Sequence, residues 1–543
     1  MTSLLLFLLA GPRLIPAAQA VEPEESWSLE EKVGQMLWPV LDERNSKNLE
    51  EAARGGLFGG GLLRWDMPRS EAKLLIRRLR RATNQTKGGR PLIAVDHEGG
   101  SLFTQESLQV PVFSGNMALG AAGSPGLAEK AAAVVGRELR SIGVDVNFAP
   151  VVDVNSNPAN PIIGIRSFGE DPLAVAALGA AAVRGYLRGG VLPAVKHFPG
   201  HGDTAVDSHS SLPVILRERK DWDAVDLPPF RSAIGQHAPI VMTAHISAPA
   251  LGTGDLPVTF SSSVLVGVLR GELDFEGVIV SDSLDMGAVK GRFAGENAAV
   301  KAVNAGCDVL LIGRAPVSEV HDELVRAVQE GKISKERIDQ AWRRILGLKR
   351  RALTMRPGPK SDWRDLETKI AEKSVTVLRN DGSVLPLNRE KKDGKLLVLA
   401  FPHRRFGPAS ELLAAELRAR RWDTEFKTLK PDSEDYSESI MKEAGDSHAV
   451  ILVIYGWNRV RDVKMDEYIR KLTALKTPVI VVSALNPYNA PDYPEAKSVV
   501  LTYSAAPASM RAAARVLFGE IVPVGRTPVT ISGRFPLGSG GKY

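Results

Sequence analysis

The sequence predicts a (β/α)8 TIM-type barrel followed by a smaller αβα sandwich. Three observations predict it. Eight short apolar runs fall between residues 30 and 355, helical patterns separate most of them, and four further runs follow a proline-broken stretch. The chain, at 543 residues, is longer than one average domain needs.

The barrel strands are expected at Met36–Val40, Gly60–Leu63, Leu92–Val95, Val146–Ala149, Leu192–Lys196, Ile240–Ala244, Val278–Ser281 and Val309–Ile312. Each is a continuous aliphatic or β-branched run, the pattern of parallel strands buried on both faces. Helices are expected between them, for example at Arg69–Thr83, Leu127–Ile142, Leu173–Arg188 and Ala294–Ala305. A doubly wound sheet is the alternative for this region. Residues 334–353 read as a basic helix whose positive face is solvated. Pro357 and Pro359 then break the pattern, and residues 354–366 read as a linker between a barrel at 28–353 and a second unit at 367–533. The second unit has strand-like runs at Lys395–Ala400, Ala449–Ile454, Pro478–Ser483 and Ser498–Tyr503. It carries neither a GxGxxG nor a phosphate-binding loop, so no nucleotide cofactor is expected.

Composition narrows the function. With 44% hydrophobic and 24% charged residues the chain is globular rather than disordered. A net charge of +6 is mild for this length, and no basic and aromatic motif points to nucleic acid. The single cysteine, Cys307, lies in the apolar run GCDVLLIG and reads as a small buried hydrophobe. The first twenty residues differ from the rest. An apolar run at Ser3–Ala10 leads to Ala18-Gln19-Ala20, which fits a small-x-small cleavage site, so residues 1–20 read as a signal peptide of an exported, periplasmic or extracellular bacterial protein. That run is too short to span a bilayer.

In such a barrel, chemistry gathers just after the strands. Asp96-His97-Glu98 follow the third strand, Lys196-His197 end the fifth, His245 follows the sixth and Asp282 the seventh. Asp207 and His209 lie in a turn-rich loop beyond His197. Residues i and i+2 of extended chain point the same way, so Asp207 could orient the imidazole for general acid–base work, or the pair could simply staple the loop. Asp282 is placed to act as a nucleophile or to hold a hydroxyl, with Asp285 as its rival. Asp96 could accept two sugar hydroxyls, with Arg166, Lys196 and His197 as added donors. A metallohydrolase barrel needs an HxH pair after the first strand, yet Pro39-Val40-Leu41-Asp42 has no histidine, so no metal is expected.

The segments VDHEGG (95–100), RSFGEDP (166–172), KHFPGHGDTAVDSHSSLP (196–213) and VIVSDSLDMGA (278–288) resemble glycoside hydrolase family 3. More narrowly they resemble its bacterial β-N-acetylglucosaminidase branch, for which the Asp207-Ser208-His209 element is specific. The resemblance covers about residues 28–353 and continues more weakly through VTVLRNDGSVLPL, VVSALNPYNAPDYP and ARVLFGEIVPVGRTPVTI, as in two-domain members. It implies a retaining glycosidase with Asp282 as nucleophile, His209 as acid/base and Asp207 as its partner. Asp96, Arg166, Lys196 and His197 would bind the terminal sugar of a glycan. The chain departs from the family at two places: His97 replaces the common glutamine, and Thr104 stands where the family has an arginine near substrate. The alternatives are a phosphorylase of the same chemistry, a β-glucosidase, or a non-catalytic glycan-binding protein. The sequence leaves the oligomeric state open.

Overall fold

The computed structural model describes residues 26–543 except 291–292, 294–296, 361, 388–393, 431–433, 457–462, 493 and 542. The expected signal peptide, residues 1–20, lies outside the described residues.

Eight parallel strands form the first unit: β1 (Leu37–Leu41), β2 (Gly60–Leu63), β3 (Leu92–Val95), β4 (Val146–Asn147), β5 (Leu192–Phe198), β6 (Ile240–Thr243), β7 (Val278–Val280) and β8 (Leu310–Gly313). Their order is β7-β6-β5-β4-β3-β2-β1-β8, and a parallel bridge from Val280 to Val309 joins the two ends. The barrel therefore stands as expected, and the doubly wound alternative falls. Every residue of β3, β5, β6, β7 and β8 is buried, which is why Val, Ile, Leu and Ala make up most of these strands. β4 is shorter than expected, ending at Asn147 instead of Ala149. Asn147 spends its side chain on the main chain of His97, accepting from its N–H at 3.1 Å and donating to its carbonyl at 2.9 Å.

Helices cover the barrel. The segment Pro172–Gly189 starts where Asp171 accepts from Leu173 N at 2.8 Å and Pro172 supplies a preset φ. Helix Lys335–Thr354 differs from its sequence reading. Arg337 and Arg344 turn onto the buried carboxylate of Asp308, at 2.8 and 3.2 Å. Lys349 is buried, donates to Gln35 Oε1 at 2.6 Å and Gly88 O at 2.8 Å, and is pushed down to about 7 by that burial. Much of the basic face thus ties the helix to the barrel rather than facing water. Cys307 is fully buried, as expected, and burial raises its thiol pKa.

The second sheet has six strands rather than four. β9 (Thr376–Asn380), β10 (Leu396–Ala400), β11 (Thr424–Thr428), β12 (Ala449–Ile454), β13 (Val479–Ser483) and β14 (Ser498–Leu501) take the order β11-β10-β12-β13-β14-β9. All pairs are parallel except β14 with β9. Barrel residues Leu102, Met117, Ala118, Ala121 and Ile165 belong to this unit's apolar core, so the two units share packing. Among the described residues, no helix is long and apolar enough to cross a membrane.

Candidate active site

The ends of β3, β4 and β5 bring together a buried chain of alternating charge. Lys196 Nζ lies 2.8 Å from Asp96 Oδ1 and 2.7 Å from Glu98 Oε1. Glu98 takes a two-pronged grip from Arg166, at 2.8 Å to Nε and 2.7 Å to Nη2. Arg166 Nη2 stands 3.3 Å from His197 Nε2, and His197 Nδ1 stands 2.7 Å from Asp153 Oδ2. Asp153 also accepts from the main-chain N–H groups of His197 and His201, at 3.2 and 2.8 Å. Of this chain Asp96 is the most open, at 26% side-chain exposure, whereas Glu98 and Asp153 are at 1% and 0%. Asp96 can therefore meet a ligand, while Glu98 and Asp153 act on the groups beside them.

The charges set each other's state. Burial works to raise Glu98, but Arg166 and Lys196 outweigh it and hold the carboxyl down at about 2. Burial likewise works against the charged form of Lys196, and Asp96 with Glu98 overcomes it, so the ammonium is stabilised. Arg166 also lies 4.1 Å above the ring of Phe103, a further fix on its plane.

Asp282 follows β7 and is half-buried. Its Oδ1 accepts from Ser283 N at 2.7 Å. Burial works to raise it, but His245, His197, the Ser283 N–H and Lys196 together hold it below the ordinary carboxylate range. His245 donates from Nε2 to Ser283 O at 3.0 Å, which leaves Nδ1 to accept from Thr259 Oγ1 at 2.8 Å. Burial lowers its pKa, and the Asp282 carboxylate beside it works the other way. Asp285 is turned elsewhere. Its Oδ1 accepts from Ser283 Oγ at 2.6 Å, and its carboxylate fills the space a Cβ on Gly313 would need, 2.3 Å away.

The loop after β5 carries the dyad. His209 Nδ1 and Asp207 Oδ1 are 2.8 Å apart, and Asp207 Oδ1 also accepts from His209 N at 2.8 Å. The imidazole is thus fixed through Nδ1, with Nε2 left for a ligand. At 51% and 39% exposure the pair stands on the solvent side of the charge chain. Two contacts seat the loop. Ala288 N donates to Ser208 O at 3.2 Å, and a Cβ on Gly287 would lie 2.4 Å from His209 O. Only glycine lets the dyad-bearing loop lie against the loop that follows Asp282. At its other end Arg217 clamps the loop, reaching Asp203, Asp226 and Ser156 at 2.8, 2.5 and 2.5 Å.

The structure thus gathers Asp96, Arg166, Lys196 and His197 into one cluster that extends to Asp282, and places Asp207 and His209 above it. Sequence reading assigned no role to Glu98, Asp153 or His245. A carboxylate such as Asp153, set in the apolar string Val151-Val152-Asp153-Val154, must be partnered when buried, and that was the available signal. Both departures point inward. His97 is fully buried beside Pro111 O at 3.4 Å and pushed down to about 4 by burial. Thr104 is buried and donates to Leu102 O at 3.2 Å, so position 104 offers no cation. The loop between them is held by the second unit, where Ser101 Oγ bonds Ala505 N at 2.9 Å and Ser504 Oγ at 3.1 Å. Among the described residues no cluster of three His, Cys, Asp or Glu is arranged to hold a metal.

Residues 28–348 match the glycosyl hydrolase family 3 N-terminal domain, and residues 375–535 match its C-terminal domain. A Pseudoalteromonas piscicida protein named beta-hexosaminidase A is 36% identical over 380 residues, which span 64% of this chain and 63% of that protein. A Cellulomonas fimi beta-N-acetylglucosaminidase/beta-glucosidase is 28% identical over 92% of this chain and 93% of its own length. The solved structure of a glycoside hydrolase family 3 beta-N-acetylglucosaminidase from Paenibacillus sp. str. FPU-7 superposes with a TM-score of 0.85. It is 35% identical and covers 93% of this chain and 99% of its own.

Proposed function

The chain belongs to glycosyl hydrolase family 3, and from that premise we propose that it is a retaining exo-β-N-acetylglucosaminidase that releases terminal N-acetylglucosamine from peptidoglycan or chitin fragments. The observation that carries the reading is the Asp207–His209 dyad on a loop seated against the loop that follows Asp282. The names of the Pseudoalteromonas, Cellulomonas and Paenibacillus proteins support the N-acetyl specificity.

In this reading the terminal sugar lies over the barrel mouth. Asp96 and Lys196 bind its hydroxyls, and Arg166 and His197 complete the polar wall. Asp282, kept ionised by its surroundings, attacks the anomeric carbon. The bond to the leaving oxygen breaks as His209 Nε2 gives that oxygen a proton, and Asp207 steadies the ring through Nδ1. Water then attacks the glycosyl–enzyme, His209 takes its proton, and Asp282 leaves as a carboxylate. A retaining pair is usually two carboxylates; here an imidazole with its own carboxylate takes the acid's place.

His209→Ala tests the acid role. Turnover of a chitin disaccharide should fall by about 10²- to 10⁴-fold, and turnover of a nitrophenyl N-acetylglucosaminide, whose leaving group needs little protonation, should fall much less. Equal losses on both substrates would remove His209 as the acid. Running each assay with and without phosphate separates hydrolysis from phosphorolysis. We also propose export, supported by the apolar run and the Ala18-Gln19-Ala20 site. N-terminal sequencing of protein recovered from the producing cell should begin at Val21, and a chain still carrying the apolar run would contradict this.

A further inference from the structure

A cavity of about 400 Å³ opens beside Asp96, between the ends of β1, β2, β3 and β8. That volume lies in the range of small-molecule pockets, with room for a sugar substituent and the water around it. Its walls include Arg44, Arg64, Trp65, Asp66, Asp96 and Arg314. Asp282, Lys196 and His197 do not line it, so the cavity adjoins the catalytic cluster and shares only Asp96 with it.

The strand order fixes which end of a bound sugar faces this cavity. In a ring of eight strands β3 and β7 are four apart in either direction, so Asp96 and Asp282 face each other across the mouth. In a pyranose the anomeric carbon and C-4 are likewise opposite. A sugar with its anomeric carbon at Asp282 presents its C-4 and C-6 substituents to Asp96 and to the cavity beyond.

The charges there are not balanced. Asp42 is shared by Arg44, at 2.5 Å, and Arg64, at 3.2 Å, so one carboxylate serves two guanidinium groups. Glu71 stands farther from Arg64, at 3.9 Å. Asp96 is engaged by Lys196. Arg314 follows β8 directly, is exposed, and makes no ion pair with a described residue. Two carboxylates of the lining oppose an anion: Asp66, which is exposed, and Asp96, whose charge is met by Lys196 at 2.8 Å. Trp65, 38% exposed and edge-on to Phe103 at 6.4 Å, offers a flat apolar wall.

We propose that this cavity is a subsite for an anionic substituent, a sulfate or phosphate ester, carried at C-4 or C-6 of the terminal sugar. Arg314 is its principal cation, Arg64 its second and Trp65 its wall. A guanidinium matches the planar spread of oxygens on such esters better than an ammonium does. The inference rests on the catalytic reading above, because that reading orients the sugar.

Calorimetric titration tests it with monosaccharides that are not turned over: N-acetylglucosamine, its 6-sulfate, its 4-sulfate and its 6-phosphate. The wild-type protein should bind at least one ester about 10-fold more tightly than the plain sugar. In Arg314→Gln the ratio of the two affinities should collapse toward one, and in Arg314→Glu it should invert. Arg314 is exposed, so neither change threatens folding, and the phosphate and sulfate arms separate the two esters. Binding of N-acetylglucosamine with no gain from any ester overturns the subsite alone. A gain that survives in Arg314→Gln overturns it too. Failure to bind any of the four sugars overturns the catalytic reading along with it.

Discussion

Asp282→Ala should lose about 10⁴-fold or more in kcat on every substrate, activated or not. In the proposed mechanism this carboxylate forms the covalent bond, so a better leaving group cannot compensate. Its setting prepares it for this role. It is half-buried, accepts from the adjacent Ser283 N–H at 2.7 Å, and is held below the ordinary carboxylate range by His245, His197, Ser283 and Lys196 against its burial. Added azide should restore turnover in Asp282→Ala and give the α-glycosyl azide, because a small anion can enter the vacated space on the same face. Asp285→Asn should behave differently. That carboxylate bonds Ser283 Oγ and packs on Gly313, so its loss should cost stability and leave kcat within about 10-fold. If Asp285→Asn abolished turnover and Asp282→Ala did not, the nucleophile would have to be moved.

Glu98→Gln should cost about 3–5 kcal/mol of stability at pH 7, because two buried cations, Arg166 and Lys196, would lose the carboxylate between them. A fall in Tm of about 5 °C or more by scanning calorimetry is the expected readout. The sign of the pH dependence is definite. Glu98 titrates at about 2 in the folded protein and near 4.5 unfolded. The unfolded chain therefore binds the proton first as pH falls. The stabilisation is complete above about 4.5 and is lost as pH drops toward 2. The difference in Tm between wild type and Glu98→Gln should accordingly narrow across that window. A constant difference from pH 7 to pH 3 would show that the carboxylate's charge is not what stabilises the cluster.

The barrel was legible because its strands are buried on both faces and so appear as unbroken apolar runs. β9 and β11 were not, because they are edge strands. Thr424–Thr428 reads TEFKT and is only partly buried, and Thr376–Asn380 ends in Arg and Asn. The strand-end members of the candidate site were legible too, since Asp96, His197 and Asp282 stand where the barrel rule places chemistry. The groups beneath them were hidden by sequence distance. Glu98 meets Arg166 across 68 residues, and Asp153 meets His197 across 44. Local pattern says nothing of such pairs. The basic helix failed for the same reason: its charges are visible in sequence, whereas Asp308, which gathers Arg337 and Arg344 with Arg270, lies in a buried position ahead of β8.

The second unit acts on the first through particular contacts. Leu102 lies in its core, Ser101 bonds its Ala505, and Glu170 accepts from Thr530 N at 2.8 Å and Thr530 Oγ1 at 2.6 Å. The loop that carries Glu98 and the segment that carries Arg166 are thus both braced from outside the barrel. This places the second unit in the support of the buried charge cluster.

The most direct test of the central claim is to trap the covalent intermediate. A slow 5-fluoro N-acetylglucosaminyl donor is added, the reaction is quenched, and the peptides are mapped by mass spectrometry. One sugar on the peptide that holds Asp282, with the fragment ions placing it on that residue and not on Asp285, is the predicted result. No labelled protein together with an α-configured first product, or a sugar on another carboxylate, would contradict it.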